Sequence, residues 1–136
     1  MTSSRLPALC AFCLMMVSAF AATSATDLRC ENLENPPGID ATEPRLSWIL
    51  NSSDRGQKQT AYHILVASTE SKLKSNEGDL WDSGKVLSGD ATAQYKGRPL
   101  TSLQRCYWKV RVWGNYYHST GFSEVGMWDM GLLLKE

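Results

Sequence analysis

The sequence predicts an all-β domain of the immunoglobulin or fibronectin-III sandwich type, preceded by a cleaved signal peptide. Three observations support this prediction. Apolar residues come in short runs rich in Val, Ile, Trp and Tyr. Clusters of Gly, Pro, Asn, Asp and Ser separate these runs, and no 3.6-residue period persists. After the leader, about 110 residues remain, which is the size of one small sandwich.

The first 25 residues have the composition of a secretory signal. Arg5 lies in a short polar segment, an apolar run follows over residues 9–20, and small residues offer cleavage sites after Ala21 or Ala25. The apolar run is shorter than the roughly 20 residues that a membrane-spanning helix needs. We therefore expect export to the periplasm or the exterior, with residues 1–25 as signal peptide, residues 26–136 as the domain, and no membrane partner after cleavage.

Seven strands are expected, and their number fits two packed sheets. The only helical turn expected lies in the polar segment 70–78. In the run 106–113, period-2 alternation sends Trp108, Val110 and Val112 to the core and Lys109 and Arg111 to solvent. The expected strands are residues 27–33, 45–50, 60–68, 80–86, 93–96, 105–113 and 123–133.

The turns have specific causes in the sequence. Pro36 and Pro37 fix a corner that Gly38 completes, since glycine tolerates positive φ. In the stretch 81–84, we expect Asp82 to accept hydrogen bonds from nearby backbone N–H groups and Gly84 to adopt a left-handed conformation.

Charge and motif content exclude several classes of function. The formal charge is zero, with 14 basic and 14 acidic residues, so the chain has no field to attract nucleic acid. The two histidines, His63 and His118, are separated and form no metal-spaced cluster; we expect them at surface or edge positions. Phosphate-binding loops, nucleophile elbows and dinucleotide fingerprints do not occur. We expect neither metal nor cofactor.

Several sequence blocks, taken in order, resemble the N-terminal fibronectin-III-like domain of bacterial α-L-rhamnosidases of glycoside hydrolase family 78. The blocks are LRCENLENPPGIDATEPRLSW (28–48), QKQTAYHILVAS (57–68), LWDSGKV (80–86), YKGRPLTS (95–102), CYWKVRVW (106–113) and WDMGLL (128–133). The resemblance implies a parent enzyme that removes terminal α-L-rhamnose from glycans with carboxylates of a separate helical barrel. It also implies that this chain is a truncated fragment and a non-catalytic accessory module.

Four acids lie near aromatic residues and are candidates for the two carboxylates of a glycosidase: Glu31, Asp79, Asp82 and Asp129. Each has a turn or strand-end explanation, so we expect no catalytic residue. In related sandwiches, a tyrosine closes one corner, and Cys106 occupies its expected place, with Tyr107 one residue late. Cys30 and Cys106 would remain after leader cleavage, either as a disulfide or as two small buried residues.

Four aromatic residues cluster around the last long loop: Trp113, Tyr116, Tyr117 and Phe122. They suit either of two roles. The first is packing against neighbouring domains of a parent hydrolase, as an accessory module does. The second is a platform for rhamnose-containing glycans in a stand-alone carbohydrate-binding or adhesion module.

Overall fold

The computed structural model describes residues 23–52, 56–115 and 119–134. Its seven strands form two antiparallel sheets, as predicted. The order is β1-β2-β5 in the three-stranded sheet and β4-β3-β6-β7 in the four-stranded sheet. The elements are β1 (Ser24–Cys30), β2 (Arg45–Asn51), β3 (Ala61–Ala67), α1 (Glu70–Lys74), β4 (Trp81–Asp82), β5 (Thr92–Gln94), β6 (Arg105–Trp113) and β7 (Gly126–Asp129).

The core lies between the inner faces of the two sheets. Alternation along β6 buries Trp108, Val110 and Val112 almost completely, as expected. Leu46 and Trp48 of β2 are buried in the same cluster. The other face of β6 is less exposed to solvent than predicted, because Lys109 is also buried.

The outer face of the four-stranded sheet carries a second, smaller apolar cluster. Leu73 of α1 packs on Leu65 and Ala67 of β3, and Tyr107 and Phe122 border this group. Helix α1 is the predicted helical turn; the Thr69 hydroxyl caps it by accepting a bond from the Lys72 N–H at 3.2 Å. The helix and the segment around Phe122 therefore cover part of a sheet face expected to be exposed.

Three strands depart from their predicted bounds by more than two residues at one or both ends, for local reasons. Strand β1 ends at Cys30, because Glu31 and Asn32 both have positive φ in a tight turn. Strand β4 is short, because Gly84 adopts a φ of +63° and interrupts pairing until Val86 bonds to Tyr62. The segment after residue 119 joins the sheet through hydroxyl and isolated backbone contacts, so β7 is restricted to Gly126–Asp129.

The predicted corner at Pro36 and Pro37 is present, with Gly38 at a φ of +74°. The Pro36 carbonyl accepts a bond from the Asp129 N–H, and Ile39 then pairs with Met130. This places the corner beside the C-terminal end of β7. In the described part of the chain, no helix is long and apolar enough to cross a membrane.

Candidate functional site

Two of the four predicted platform residues lie together on the outer face of the four-stranded sheet. The Arg111 guanidinium lies 5.2 Å from the centroid of the Trp113 ring and 4.9 Å from that of Phe122. Tyr116 and Tyr117 fall outside the described residues, as does His118. We call the group of Trp113, Arg111 and Phe122 the aromatic face.

Cations already occupy the rings of the aromatic face. The Lys85 ammonium lies 4.7 Å from the Trp113 centroid, in addition to Arg111. The Lys109 ammonium lies 4.4 Å from the Phe122 centroid and donates to the Asn76 side-chain oxygen at 2.6 Å. Burial lowers the pKa of Lys109. Sugar stacking needs open ring surface, so these contacts favour a structural role for the rings.

His63 connects the aromatic face to the turn after β4. Arg111 donates to its Nδ1 at 3.1–3.2 Å, and its Nε2 lies 2.6 Å from Asp82 Oδ1. Because a guanidinium only donates, this geometry places the imidazole proton on Nε2, toward Asp82. His63 was predicted at a surface or edge position. It does not lie at an edge, because β3 lies between β4 and β6; it lies on the outer face of that sheet, with its side chain 13% exposed.

Asp82 and Gly84 form the predicted turn. The Gly84 N–H donates to Asp82 Oδ1 at 2.9 Å. Partial burial opposes ionisation of Asp82, but the bonds from Gly84 and His63 outweigh it and lower the pKa of the carboxyl. Asp82 is therefore held as an anion by its neighbours.

Two other candidate acids, Asp79 and Asp129, also accept hydrogen bonds from neighbouring groups. Asp79 accepts bonds from the Ser68 N–H at 2.8 Å and the Ser68 hydroxyl at 2.6 Å. Arg105 donates two bonds to Asp129, at 2.7 and 3.1 Å. Burial raises the pKa of Asp79, but its hydrogen bonds outweigh this effect and the pKa is lowered; the bonds from Arg105 lower the pKa of Asp129. The general acid of a glycosidase needs a raised pKa, so Asp79, Asp82 and Asp129 are poorly suited to that role.

Glu31, the fourth candidate acid, forms a hydrogen bond with the backbone. Its carboxylate accepts a bond from the Arg45 N–H at 2.7 Å, across the pair formed by β1 and β2. Among the described residues, no group of three or more His, Cys, Asp or Glu is placed to hold a metal ion.

Cys30 and Cys106 are free, buried thiols in the core cluster, on strands of opposite sheets. Burial raises the pKa of each thiol to about 12. Such thiols are inert toward nucleophilic chemistry. A different buried tyrosine bonds to the backbone: the Tyr95 hydroxyl donates to the Arg98 carbonyl at 2.6 Å, and burial raises its pKa to about 12.

Sequence reasoning missed a surface groove at the other end of β6. The groove has a volume of about 490 Å³ and is lined by Pro37, Gly38, Leu103, Arg105, Asp129, Met130 and Gly131. Leu103 is 72% exposed and has a φ of +62°. The only signal in the sequence was a large apolar residue inside a polar turn, which is too weak to identify a surface.

The model of a family described as the Rha78A-like N-terminal immunoglobulin domain matches residues 25–134. The chain belongs to this family. In this Rha78A-like domain, the match begins inside β1 and ends at the last described residue.

Curated and solved relatives agree with this assignment. An α-L-rhamnosidase of Formosa agariphila is 42% identical over 100 residues, which are 73% of this chain and 10% of the relative. The structure of the Dictyoglumus thermophilum α-L-rhamnosidase superposes with a TM-score of 0.80 at 38% identity, covering 82% of this chain and 13% of that one. The structure of the Streptomyces avermitilis α-L-rhamnosidase complexed with L-rhamnose superposes with a TM-score of 0.78 at 40% identity. The match covers 82% of this chain and 11% of that one. The Rha78A-like domain thus spans about a tenth of its relatives.

Proposed function

We propose that this chain is the non-catalytic N-terminal accessory module of an exported α-L-rhamnosidase-like hydrolase. The observation that carries the proposal is coverage: the family match takes in residues 25–134, yet these correspond to only 10–13% of the relatives above. The partners of such a module are the neighbouring domains of the parent enzyme. Removal of terminal rhamnose from glycans belongs to the rest of that parent.

The geometry of the acids supports a role without catalysis. Asp79, Asp82 and Asp129 each accept bonds that stabilise the ionised form. A hydrolase of this kind needs one carboxylic acid that remains protonated and a second, ionised carboxylate across the sugar bond. We therefore expect the purified chain to leave a chromogenic α-L-rhamnoside intact over a range of pH. Turnover that survives purification and disappears with Asp82→Asn would contradict the proposal.

A stand-alone carbohydrate-binding module is the alternative, since Trp113 and Phe122 do share one face. We expect rhamnose-containing oligosaccharides to show no saturable binding to the chain in calorimetry, because cations lie over both rings. Trp113→Ala tests the ring directly, and Leu87→Ala, at an exposed site that belongs to neither the aromatic face nor the groove, is its control. Saturable binding lost only in Trp113→Ala would support the alternative.

A domain replacement tests the accessory role itself. In the Formosa agariphila relative, residues 23–134 of this chain would replace the equivalent domain, and rhamnosidase activity and thermal inactivation would be measured. We expect the fusion to inactivate at a temperature close to that of the parent, and the relative without the domain to inactivate earlier. A fusion no more stable than the deletion would contradict the proposal.

Export requires removal of the leader, and the structure bears on where we propose the cut. Ala25 is buried and pairs with Leu50, and Ser24 pairs with Asn51. Cleavage after Ala21 retains this part of β1, whereas cleavage after Ala25 removes it. We therefore place the proposed cut after Ala21 instead of after Ala25, the boundary expected from the sequence. N-terminal sequencing of the exported chain should begin at Ala22; a start at Thr26 would contradict this proposal.

A further inference from the structure

The groove beside Leu103 lies where the polypeptide leaves the domain. The Leu103 N–H donates to the Gly131 carbonyl at 3.1 Å, and the Ser102 hydroxyl accepts from the Leu133 N–H at 2.7 Å. The C-terminal segment therefore runs along the turn before β6. Leu132 and Leu134, in that segment, are 67% and 85% exposed. We call Leu103, Leu132, Leu134 and the groove residues Pro37 and Gly38 the exit surface.

Leu103 is held at this surface against the preference of its backbone. The turn is closed by a bond from the Gln104 N–H to the Thr101 carbonyl, and a φ of +62° suits Gly or Asn. A leucine there costs conformational energy and, at 72% exposure, regains little by burial. Strain of this kind, where the domain itself does not use the side chain, indicates a role in an interaction.

The polar groups of the groove are already paired with one another. Arg105 and Asp129 form a two-bond ion pair, so neither needs a partner from outside. What remains for an occupant is apolar contact with Leu103 and Pro37 in the groove and with the exposed Leu132 in the segment after it. An apolar surface of this kind fits a domain that stays attached to the chain rather than a charged or sugar ligand.

We propose that the exit surface is the docking site for the domain that follows this one in a rhamnosidase chain. The inference rests on the proposed function. Two facts support this occupant: the matched domain is N-terminal and about a tenth of its relatives, and the family match ends at residue 134, in the segment that runs beside the groove. The aromatic face lies elsewhere, since Trp113 is eight residues along β6 from Arg105, about 26 Å away.

The replacement enzyme described above supplies the test. Leu103→Lys and Leu132→Lys place a charge on the exit surface, and Leu87→Lys, at an 81% exposed leucine in the loop after β4, is the matched control. In the full chain alone, all three variants should unfold at nearly the wild-type temperature. In the fusion, the two exit-surface variants should lower the inactivation temperature by several degrees, and the control should not.

The outcomes separate the inference from the function on which it rests. A wild-type fusion that fails to stabilise the enzyme overturns the proposed function. A stable fusion in which Leu103→Lys and Leu132→Lys behave like Leu87→Lys overturns the docking surface alone. A chain that forms dimers dispersed by Leu103→Lys, with the fusion unaffected, assigns the surface to a second copy and also overturns the inference.

Discussion

Apolar side chains meet solvent differently in two regions of this domain. At the aromatic face, Trp113 and Phe122 lie against Arg111 and two lysines, and Phe122 also packs against the smaller apolar cluster. At the exit surface, Leu103 and Leu132 are mostly exposed, and Leu103 adopts an unfavourable backbone conformation. The difference leads us to expect an interaction at the strained, exposed Leu103 rather than at the aromatic residues, whose rings already lie against cations of the domain.

The largest expected effect concerns Cys30 and Cys106, which lie in the half of the core nearer the exit surface. Cys30 ends β1, and Cys106 is the second residue of β6, so a disulfide would join the two sheets at that end. The disulfide stays a prediction. If it forms on export, the oxidised chain should be more stable than the reduced chain by about 2–4 kcal/mol.

Thermal unfolding with and without reductant measures this difference, and the Cys30→Ala/Cys106→Ala variant, insensitive to reductant, is the control. Without the disulfide, ionisation of the two buried thiols limits the stability of the fold at high pH. Their folded pKa of about 12 exceeds the unfolded value of 9.0. The contribution of the protonated thiols to the free energy of unfolding is therefore complete below pH 9 and declines above it. The free thiols are then counted in unfolded protein that has been exported to an oxidising compartment. Two free thiols per chain would refute the disulfide.

The next effect tests whether the aromatic face is structural. Phe122→Ala removes a half-buried ring that borders Leu65 and Leu73 and lies under Lys109 and Arg111. We expect a loss of about 2 kcal/mol in the free energy of unfolding, less than for a fully buried ring. Urea denaturation measures it, with Leu87→Ala as the exposed control. Equal stability of the two variants would show that the face is not part of the domain's packing.

A smaller effect contrasts the acids of the two regions as pH falls. The pKa of Asp82 beside His63 and that of Asp129 beside Arg105 are both lowered in the folded state. A lowered folded pKa stabilises the fold above the unfolded value, near 3.8, and this stabilisation is lost as pH falls through the folded value. Since Asp82 is 56% exposed, we expect Asp82→Asn to cost about 1 kcal/mol at pH 7.

The free energy of unfolding, measured between pH 2 and 7, separates the contributions of the two carboxylates. The proteins compared are the wild type, Asp82→Asn and Asp129→Asn. Each variant should lose less stability than the wild type below pH 4, since one titrating group is absent. If both variants follow the wild-type curve, neither carboxylate is held by its partner in solution.

The sequence was sufficient for the fold and its inner face. Seven runs of β-prone residues, with turns at Pro37-Gly38 and Ser83-Gly84, predicted seven strands, and alternation in β6 predicted Trp108, Val110 and Val112 in the core. Alternation could not reveal that α1 and Phe122 cover the opposite face, because a period-2 pattern assigns side chains to two faces and does not show which other segments pack on either face. Lys109 was consequently predicted to be exposed.

The candidate surfaces were less predictable, for a related reason. The aromatic face was identified by composition, but its cations come from β6 and from the loop after β4, which only the fold brings together. The exit surface depends on the φ of Leu103 and on the path of residues 131–134. Neither is encoded in a local pattern, since the turn sequence carries leucine where glycine would have signalled the conformation.

The smallest effect examines that leucine alone. Leu103→Gly removes the cost of a left-handed conformation, about 1–2 kcal/mol, and adds the backbone entropy of glycine, about 0.5–1 kcal/mol. We therefore expect the isolated chain to gain about 0.5 kcal/mol, measured by thermal unfolding. Leu103→Ala, which keeps the strain, should gain nothing. If Leu103→Gly instead destabilises the isolated chain, the side chain already packs within the domain, and the two regions differ less than their exposures indicate.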